Sequence, residues 1–573
     1  MPRGEVLDRR WRIEPAPDAA LVAGLARALS VPEPFARLLA LRGFADADRA
    51  RRFLRPTRHD LHDPLLLPDM ELAVERLVRA VRGGETVLVH GDYDVDGQCA
   101  TAIMTRVLRH LNGRAVPFVP HRLRDGYDLS AAGVRAAREA GARVILALDC
   151  GTTAIEAVAE ARAGGMDVII ADHHLPGPER PDALALVNPR RPDSGYPESD
   201  LCGAGLGWKL GTALLNAMGR GDTFAWHLVD LAALATVADL VPLTGENRVI
   251  VRLGLRVMRE TAWRGLAALI AEAGLAKKAI RAGQVAFTLA PRLNAAGRIG
   301  DANDGLRLLL TDAAAEAEAL ARQLGQQNAE RQALDQRTLD EALESLDREY
   351  DPTRDVGVVI ARDGWHPGVI GIVASRVVER IARPTFLIAL DGDVGKGSGR
   401  SVPRCDLHAS LGRCAPLLER WGGHRMAAGL TLRRERLDEF RAAFNAACAA
   451  QVSPEELVPS QRVDAVLTIG ELDGGLERML RHLEPTGMGN PGPVFGLERL
   501  EIAGQTRPIG ERHIRFTLSD GTGRLRTVAW NVREEVERTL AAGRPLRAAV
   551  RLEHDAYLGQ EFVEGRLVTL AAG

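Results

Sequence analysis

Thr86-Val-Leu-Val-His90-Gly-Asp-Tyr-Asp-Val-Asp-Gly97 is an apolar run that ends in a histidine and then places a carboxylate at every second position, at Asp92, Asp94 and Asp96. The apolar half reads as a buried strand that delivers His90 to the edge of a sheet. Gly91 and Gly97 are expected to let the loop turn tightly. Alternating residues share one side if the backbone stays extended. Three negative charges held together repel one another unless cations neutralise them. A solvated acidic turn explains the same residues. A calcium loop does not, because it needs a bidentate glutamate further on and none follows.

Working outward, three more acidic clusters close apolar runs. Val144 to Leu148 leads into Asp149-Cys150-Gly151, Val168 to Ala171 into Asp172-His173-His174, and Thr236-Val-Ala into Asp239. Taken alone, Asp149 reads equally well as a helix cap. Two adjacent histidines point different ways, so one suits a metal and the other a substrate, with Asp172 placed to orient an imidazole. Asp239 sits amid apolar neighbours, where burial without a cation is costly. Oxygen and nitrogen ligands without thiolate favour the hard ions Mn2+ or Mg2+.

Between these clusters the pattern alternates strand and helix, which predicts a mostly parallel sheet with both faces covered and ligands beyond the carboxyl ends of its strands. Residues 1–70 read as short helices. Leu/Ala-rich helical spacing fills 222–273, and a long charged helix occupies the stretch from Ala313 to Glu349. A second α/β unit begins near Asp355. After a linker at Ser453 to Pro459, residues 493–570 read as short strands and turns, the pattern of a small β-barrel. At 573 residues several domains are expected.

Lys+Arg is 74 against Asp+Glu 76, so no overall basicity advertises a polyanion and any nucleic acid must meet local patches. Lys209, Lys277, Lys278 and Lys396 are the lysines; arginine, the bidentate phosphate binder, supplies the rest of the positive charge. The six cysteines lack C-x-x-C spacing, which argues for reduced thiols and a cytoplasmic home. The amino terminus has no apolar signal core, and no apolar stretch is long enough to span a bilayer. Gly395-Lys-Gly-Ser-Gly-Arg-Ser401 reads as a glycine-rich basic loop that cradles phosphate; its lysine lacks P-loop spacing.

These motifs in this order resemble the DHH phosphoesterase superfamily and, within it, the bacterial single-strand exonucleases. The resemblance runs through Gly91 to Gly97, Asp149-Cys-Gly151, Asp172-His-His174 and Val237-Ala-Asp-Leu-Val-Pro242. It continues through Ala290-Pro-Arg-Leu-Asn-Ala-Ala-Gly-Arg298, Gly364 to Arg376, Gly422-Gly-His-Arg-Met-Ala-Ala-Gly429 and Gly487 to Phe495. It implies an α/β fold with a parallel-sheet DHH catalytic domain at 71–312 after the helical segment 1–70. A connecting helix at 313–352, an α/β DHHA1 domain at 353–452 and an OB-like β-barrel at 460–573 follow. It also implies two divalent cations, Mn2+ or Mg2+. Asp94, Asp96, Asp149, His173 and Asp239 stand as direct ligands, with Asp149 bridging. His90 occupies a ligand position, Asp92 and Asp172 are ligands or lie just behind them, and His174 faces the scissile phosphate.

For nucleic acid, the same resemblance points to Arg122, Arg292, Asn294, Arg298 and His424, with Ser398 and Arg400 holding the 5′ end. Salt bridges from the arginines of 290–298 to Asp301 or Asp304 are the plainer alternative. In the barrel, Phe516, Trp530, Tyr557 and Phe562 are candidates to stack bases and Arg515, Arg524 and Arg526 to follow phosphates, although Phe516 and Trp530 are expected to fill the core first. Gln98-Cys99 departs from the small or hydroxyl residues usual there, a matter of packing. With the barrel at the end of the sequence, the further domain of some relatives is not expected.

The implied activity is 5′→3′ hydrolysis of single-stranded DNA to mononucleotides, in repair and recombination, by a monomer. Single-strand binding protein and a helicase are the implied partners, and no membrane is involved. A phosphodiesterase acting on short oligonucleotides and a non-catalytic replication factor on the same scaffold are the rival readings.

Overall fold

Val87 and Val89 pack into one apolar cluster and Leu88 into another, and the alternation repeats in the neighbouring strands. Leu146 and Ile169 join the first cluster; Ile145, Ala147, Val168 and Ile170 join the second. A period of two places successive side chains on opposite faces, so both faces of this sheet are buried. The computed structural model describes residues 9–121, 124–126, 128–541, 545–557 and 560–572, with backbone alone at 555–557 and 560–562. Arg122, and the side chains of Tyr557 and Phe562, lie outside what is described.

The chain divides into two compact units. One comprises Asp48–Ala329 with His482–Gly492; the other comprises Met1–Ala47, Glu330–Arg481 and Pro493–Gly573. The first holds a five-stranded parallel sheet in the order Arg114–Phe118, Thr86–His90, Val144–Leu148, Asp167–Ala171, Ala185–Val187. Helices Val95–His110 and Gly203–Ala217 cover one face, and Ala131–Glu139 and Ile155–Ala163 cover the other. Because the strands are parallel, His90, Asp149 and Asp172 all emerge at one edge. Asp239 closes the helix Val229–Ala238, within the stretch 222–273 read as helical. That helix is buried from Val229 to Val237, so no polar face marks it in the sequence.

The segment His482–Gly492 completes this unit. Arg248, 1% exposed, donates to the carbonyls of His482, Leu483, Glu484 and Pro485 and lies 3.9 Å from the Phe53 ring centroid.

In the other unit, a five-stranded sheet runs Arg420–Gly423, Ala427–Arg433, Val394–Arg400, Thr385–Asp391, Val358–Asp363. The expected phosphate loop at 395–401 is therefore mostly a strand, paired on both sides, with its backbone groups engaged in the ladder. Its glycines serve packing. A methyl at Gly395, Gly397 or Gly399 would stand 2.8, 2.8 and 2.5 Å from Ile388, Leu430 and Phe386.

A seven-stranded sheet made of Ala465–Val466, Phe495–Ile502, Leu546–Tyr557, Gln560–Ala572, Arg524–Ala529, His513–Ser519 and Arg507–Ile509 follows, and pairing between Phe495–Ile502 and His513–Ser519 closes it into the expected barrel. Two features depart from the sequence reading. Arg10–Ile13, in the stretch read as helical, is a strand parallel to Ser460–Val463, and Arg533–Ala541 is a helix inside the barrel connection. One continuous helix spans Ala314–Glu349. Among the described residues no helix is long and apolar enough to cross a membrane.

Candidate metal centre

The loop after the first strand does not stay extended. Asp94 caps the helix Val95–His110, accepting from the amides of Asp96 (2.9 Å) and Gly97 (3.2 Å), and Asp96 already lies in the first turn. The two glycines act by close approach: a methyl at Gly91 would collide with Thr101, and one at Gly97 with the Asp92 backbone. The helix start sends the three carboxylates to different places. Asp92 and Asp94 group with Asp149, whereas Asp96 groups with His173 and Asp239.

Asp149 follows its strand with φ 60°, a left-handed conformation that costs a non-glycine residue about 1 kcal/mol. Its Oδ1 lies 3.1 Å from His173 Nε2, which is 3.7 Å from Asp239 Oδ2 and 3.8 Å from Asp96 Oδ2. A third group, Asp149 with His173 and His174, joins the two. Asp96 is 1% exposed and accepts from the amides of Gly203 and Ala204, both at 2.7 Å. Those amides open the helix Gly203–Ala217, whose N-terminus favours an anion. Gly203 admits no side chain, since a methyl there would strike Asp149. Sequence reasoning missed this clamp; its signal is the small run Gly203-Ala-Gly205 that opens the helix after Cys202.

Electrostatics mark the cluster as incomplete by itself. Burial, and then Asp94, push Asp92 up to about 8. Burial, and then Asp96 and Asp94, push Asp239 up to about 8. Asp94 and Asp149 rise for the same reasons. Asp92 Oδ1 and His173 Nδ1 are buried without a hydrogen-bond partner. Carboxylates in this state need cations to be charged together, and the oxygen and imidazole donors fit hard divalent ions.

Asp172 and His90 stand beside these groups. Burial alone would raise Asp172, but its hydrogen bond from His174, that group's charge and the Thr152 amide hold it well below the usual carboxylate range. Its Oδ1 accepts from the amides of His173 (2.7 Å) and His174 (3.2 Å) and meets His174 Nδ1 at 2.7 Å; Oδ2 accepts from Thr152 at 3.0 Å. With its oxygens so occupied, Asp172 orients His174 rather than joining either group. His174 is in turn raised to about 9 by that hydrogen bond and charge against the opposing effect of burial. His90 is fully buried, lowered to about 4 by desolvation, and sits 3.5 Å from Cys150 Sγ through Nδ1, outside both groups. Sequence reasoning also passed over Asp128, which accepts from the Gly151 amide (2.6 Å) and from Thr153 (3.1 Å), and Arg190, whose charge reaches His173 and Asp239.

Of the nucleic-acid candidates, Asn294 accepts from the Val95 amide at 3.2 Å and so braces the cage loop, and Arg292 donates to the Thr288 carbonyl. Arg298 lies near the end of the same helix, Ala290–Ile299. Ser398 and Arg400 project from one side of their strand against Gly371, in the first turn of the helix Ile370–Ile381. His424 is exposed in the turn before Ala427. Phe516 fills the barrel core at 2% exposure, as expected, whereas Trp530 is 43% exposed and packs against His513. Arg515 pairs with the buried Glu564 at 3.1 Å.

Comparison with known proteins adds three matches along the chain: the DHH family N-terminal domain at 86–236, the DHHA1 domain at 355–450 and the RecJ OB domain at 463–568. The single-stranded-DNA-specific exonuclease RecJ of Bacillus subtilis is 37% identical over 91% of this chain, which spans 66% of that protein's length. RecJ of Dickeya dadantii is 37% identical over 88% of this chain and 90% of its own. Crystal structures of Thermus thermophilus RecJ resemble the fold. The Mn2+ complex gives a TM-score of 0.84 at 34% identity, covering 98% of this chain and 80% of that one; the Mg2+ complex gives 0.78 at 33%, covering 98% and 78%.

Proposed function

This chain belongs to the RecJ family, and on that premise we propose that it is a single-stranded-DNA-specific exonuclease that works 5′→3′ and releases mononucleotides by two-metal hydrolysis. The observation that carries this reading is the joining of two acidic groups through Asp149 and His173. Two divalent cations, Mn2+ or Mg2+, held by Asp92, Asp94 and Asp149 and by Asp96, His173 and Asp239, would acidify a water and offset the charge of the phosphate.

The chain's own residues do the rest. The Gly203 and Ala204 amides fix the orientation of Asp96. Asp172 orients His174 through its Nδ1, so that the imidazole faces the scissile phosphate as a hydrogen-bond donor. Ser398 and Arg400 bind the terminal 5′ phosphate, with Lys396 on the same side of the strand, since residues two apart share a face. Trp530, exposed on the barrel, stacks on a base. By the same family membership, the protein acts as a cytoplasmic monomer in repair and recombination, with single-strand binding protein and a helicase as partners. The domain limits proposed are 1–70, 71–312, 313–352, 353–452 and 460–573, the last apart from His482–Gly492, which belongs to the same unit as Asp48–Ala329.

Asp149→Ala tests the cage. Manganese-dependent release of mononucleotides from a 5′-phosphorylated single strand is expected to vanish while binding of the strand stays within about threefold of the parent. Equal loss of binding and hydrolysis would remove Asp149 from the chemistry.

A further inference from the structure

Phe287 is 83% exposed, more than any other large apolar side chain among the described residues. It stands in a π-helical turn, Val285–Leu289, that joins Ala282–Gln284 to Ala290–Ile299 in one helical run. Such turns are rare and concentrate at functional sites. The turn sets the faces of the run. Val285, Leu289, Leu293 and Ala296 are buried, while Phe287, Pro291, Asn294 and Arg298 lie on the more accessible side. That side leads onto the cage: Asn294 holds the Val95 amide next to Asp94, and Gly297 backs onto the Tyr93 carbonyl, 3.1 Å from where a methyl would be. Seven residues of helix separate Phe287 from Asn294, about 10 Å, which is two to three nucleotide rises.

We propose that Phe287 stacks on a nucleobase of the bound single strand, two to three nucleotides from the cage, and so helps set the preference for unpaired DNA. The proposal rests on the exonuclease reading given above. A base fits this position better than a protein partner does. The neighbours on the accessible side are Gln284, Pro291 and Asn294, too polar and small to extend an apolar patch into a protein interface. An exposed aromatic on a helical run that also carries Arg292 and Arg298 has the composition of a strand-tracking surface, in which a flat ring meets the base and guanidinium groups meet the backbone. Stacking on a π face tolerates any base but requires the base to be unpaired.

The test uses the full-length protein with Mn2+ and 5′-phosphorylated strands that carry a single abasic site at successive positions. The parent protein is expected to show a KM roughly tenfold higher when the abasic site falls at the stacking position. Phe287→Ala should raise KM about tenfold on intact strands, lose the dependence on abasic position and keep its melting temperature, and Phe287→Trp should restore the parent behaviour. An unchanged KM, or an abasic profile identical to that of the parent, would overturn the stacking role alone. A parent protein that releases no nucleotide from any single strand would overturn the exonuclease reading and the stacking role with it.

Discussion

Burial and neighbouring carboxylates push Asp92 and Asp239 up to about 8, against an ordinary value of 3.8. Between those values the folded state binds more protons than the unfolded state, so stability falls as pH rises from about 4 to about 8. Cations reverse the trend, because they bind the ionised ligands and compete better with protons at higher pH. With EDTA, the melting temperature is expected to drop by several degrees between pH 5 and pH 8; with saturating Mn2+, the gain over EDTA should be larger at pH 8 than at pH 5. Thermal scans at the two pH values check this, and a gain independent of pH would contradict the assignment of these carboxylates to the cage. At this scale the sequence was informative about which residues gather and weaker on what each one does. Asp94, Asp96, Asp149, His173 and Asp239 were legible as acids and imidazole after apolar runs. The place of His90 beside Cys150 was not, because it depends on a thiol that only the folded chain brings near.

At the scale of elements, the strand Val394–Arg400 shows how one composition serves two purposes. Glycine at every second position suggested a phosphate loop, yet the same spacing lets the strand lie flat on Phe386, which packs edge-on against Phe440 and Phe444. Gly399→Ala is expected to overpack this core and cost about 1–3 kcal/mol, whereas Arg400→Ala should leave the melting temperature unchanged and weaken the preference for a 5′ phosphate over a 5′ hydroxyl. Calorimetry and paired substrates separate the two effects; loss of stability in both variants would make Arg400 structural. The parallel sheet was readable from its apolar runs. The helix Arg533–Ala541 was not, since it buries only Val536 and offers no period to detect.

For the whole molecule, the linear order of the motifs suggested successive domains, and that order conceals a return of the chain. Residues 482–492 belong with Asp48–Ala329, pinned by Arg248. Arg248→Ala removes a buried charged donor from the carbonyls of Phe53, His482, Leu483, Glu484 and Pro485, of which His482 and Glu484 keep Arg252 and Leu483 and Pro485 keep Asn490, a loss on the order of 1–3 kcal/mol. Such a variant is expected to melt several degrees lower and to be cut by protease within 482–492; an unaltered digestion pattern would show that the segment is held by other means. Nothing in the local sequence announces this clamp, because an arginine in a helix and a proline-rich turn more than two hundred residues later share no pattern.

The returning segment also sets a timetable for biosynthesis. A ribosome making this protein has already extruded the acidic cage, the long helix and the glycine-striped strand before Leu483 and Pro485 leave the exit tunnel. Until then the guanidinium of Arg248 waits in a half-built core, so the unit that carries the cage is closed only when the chain returns to it.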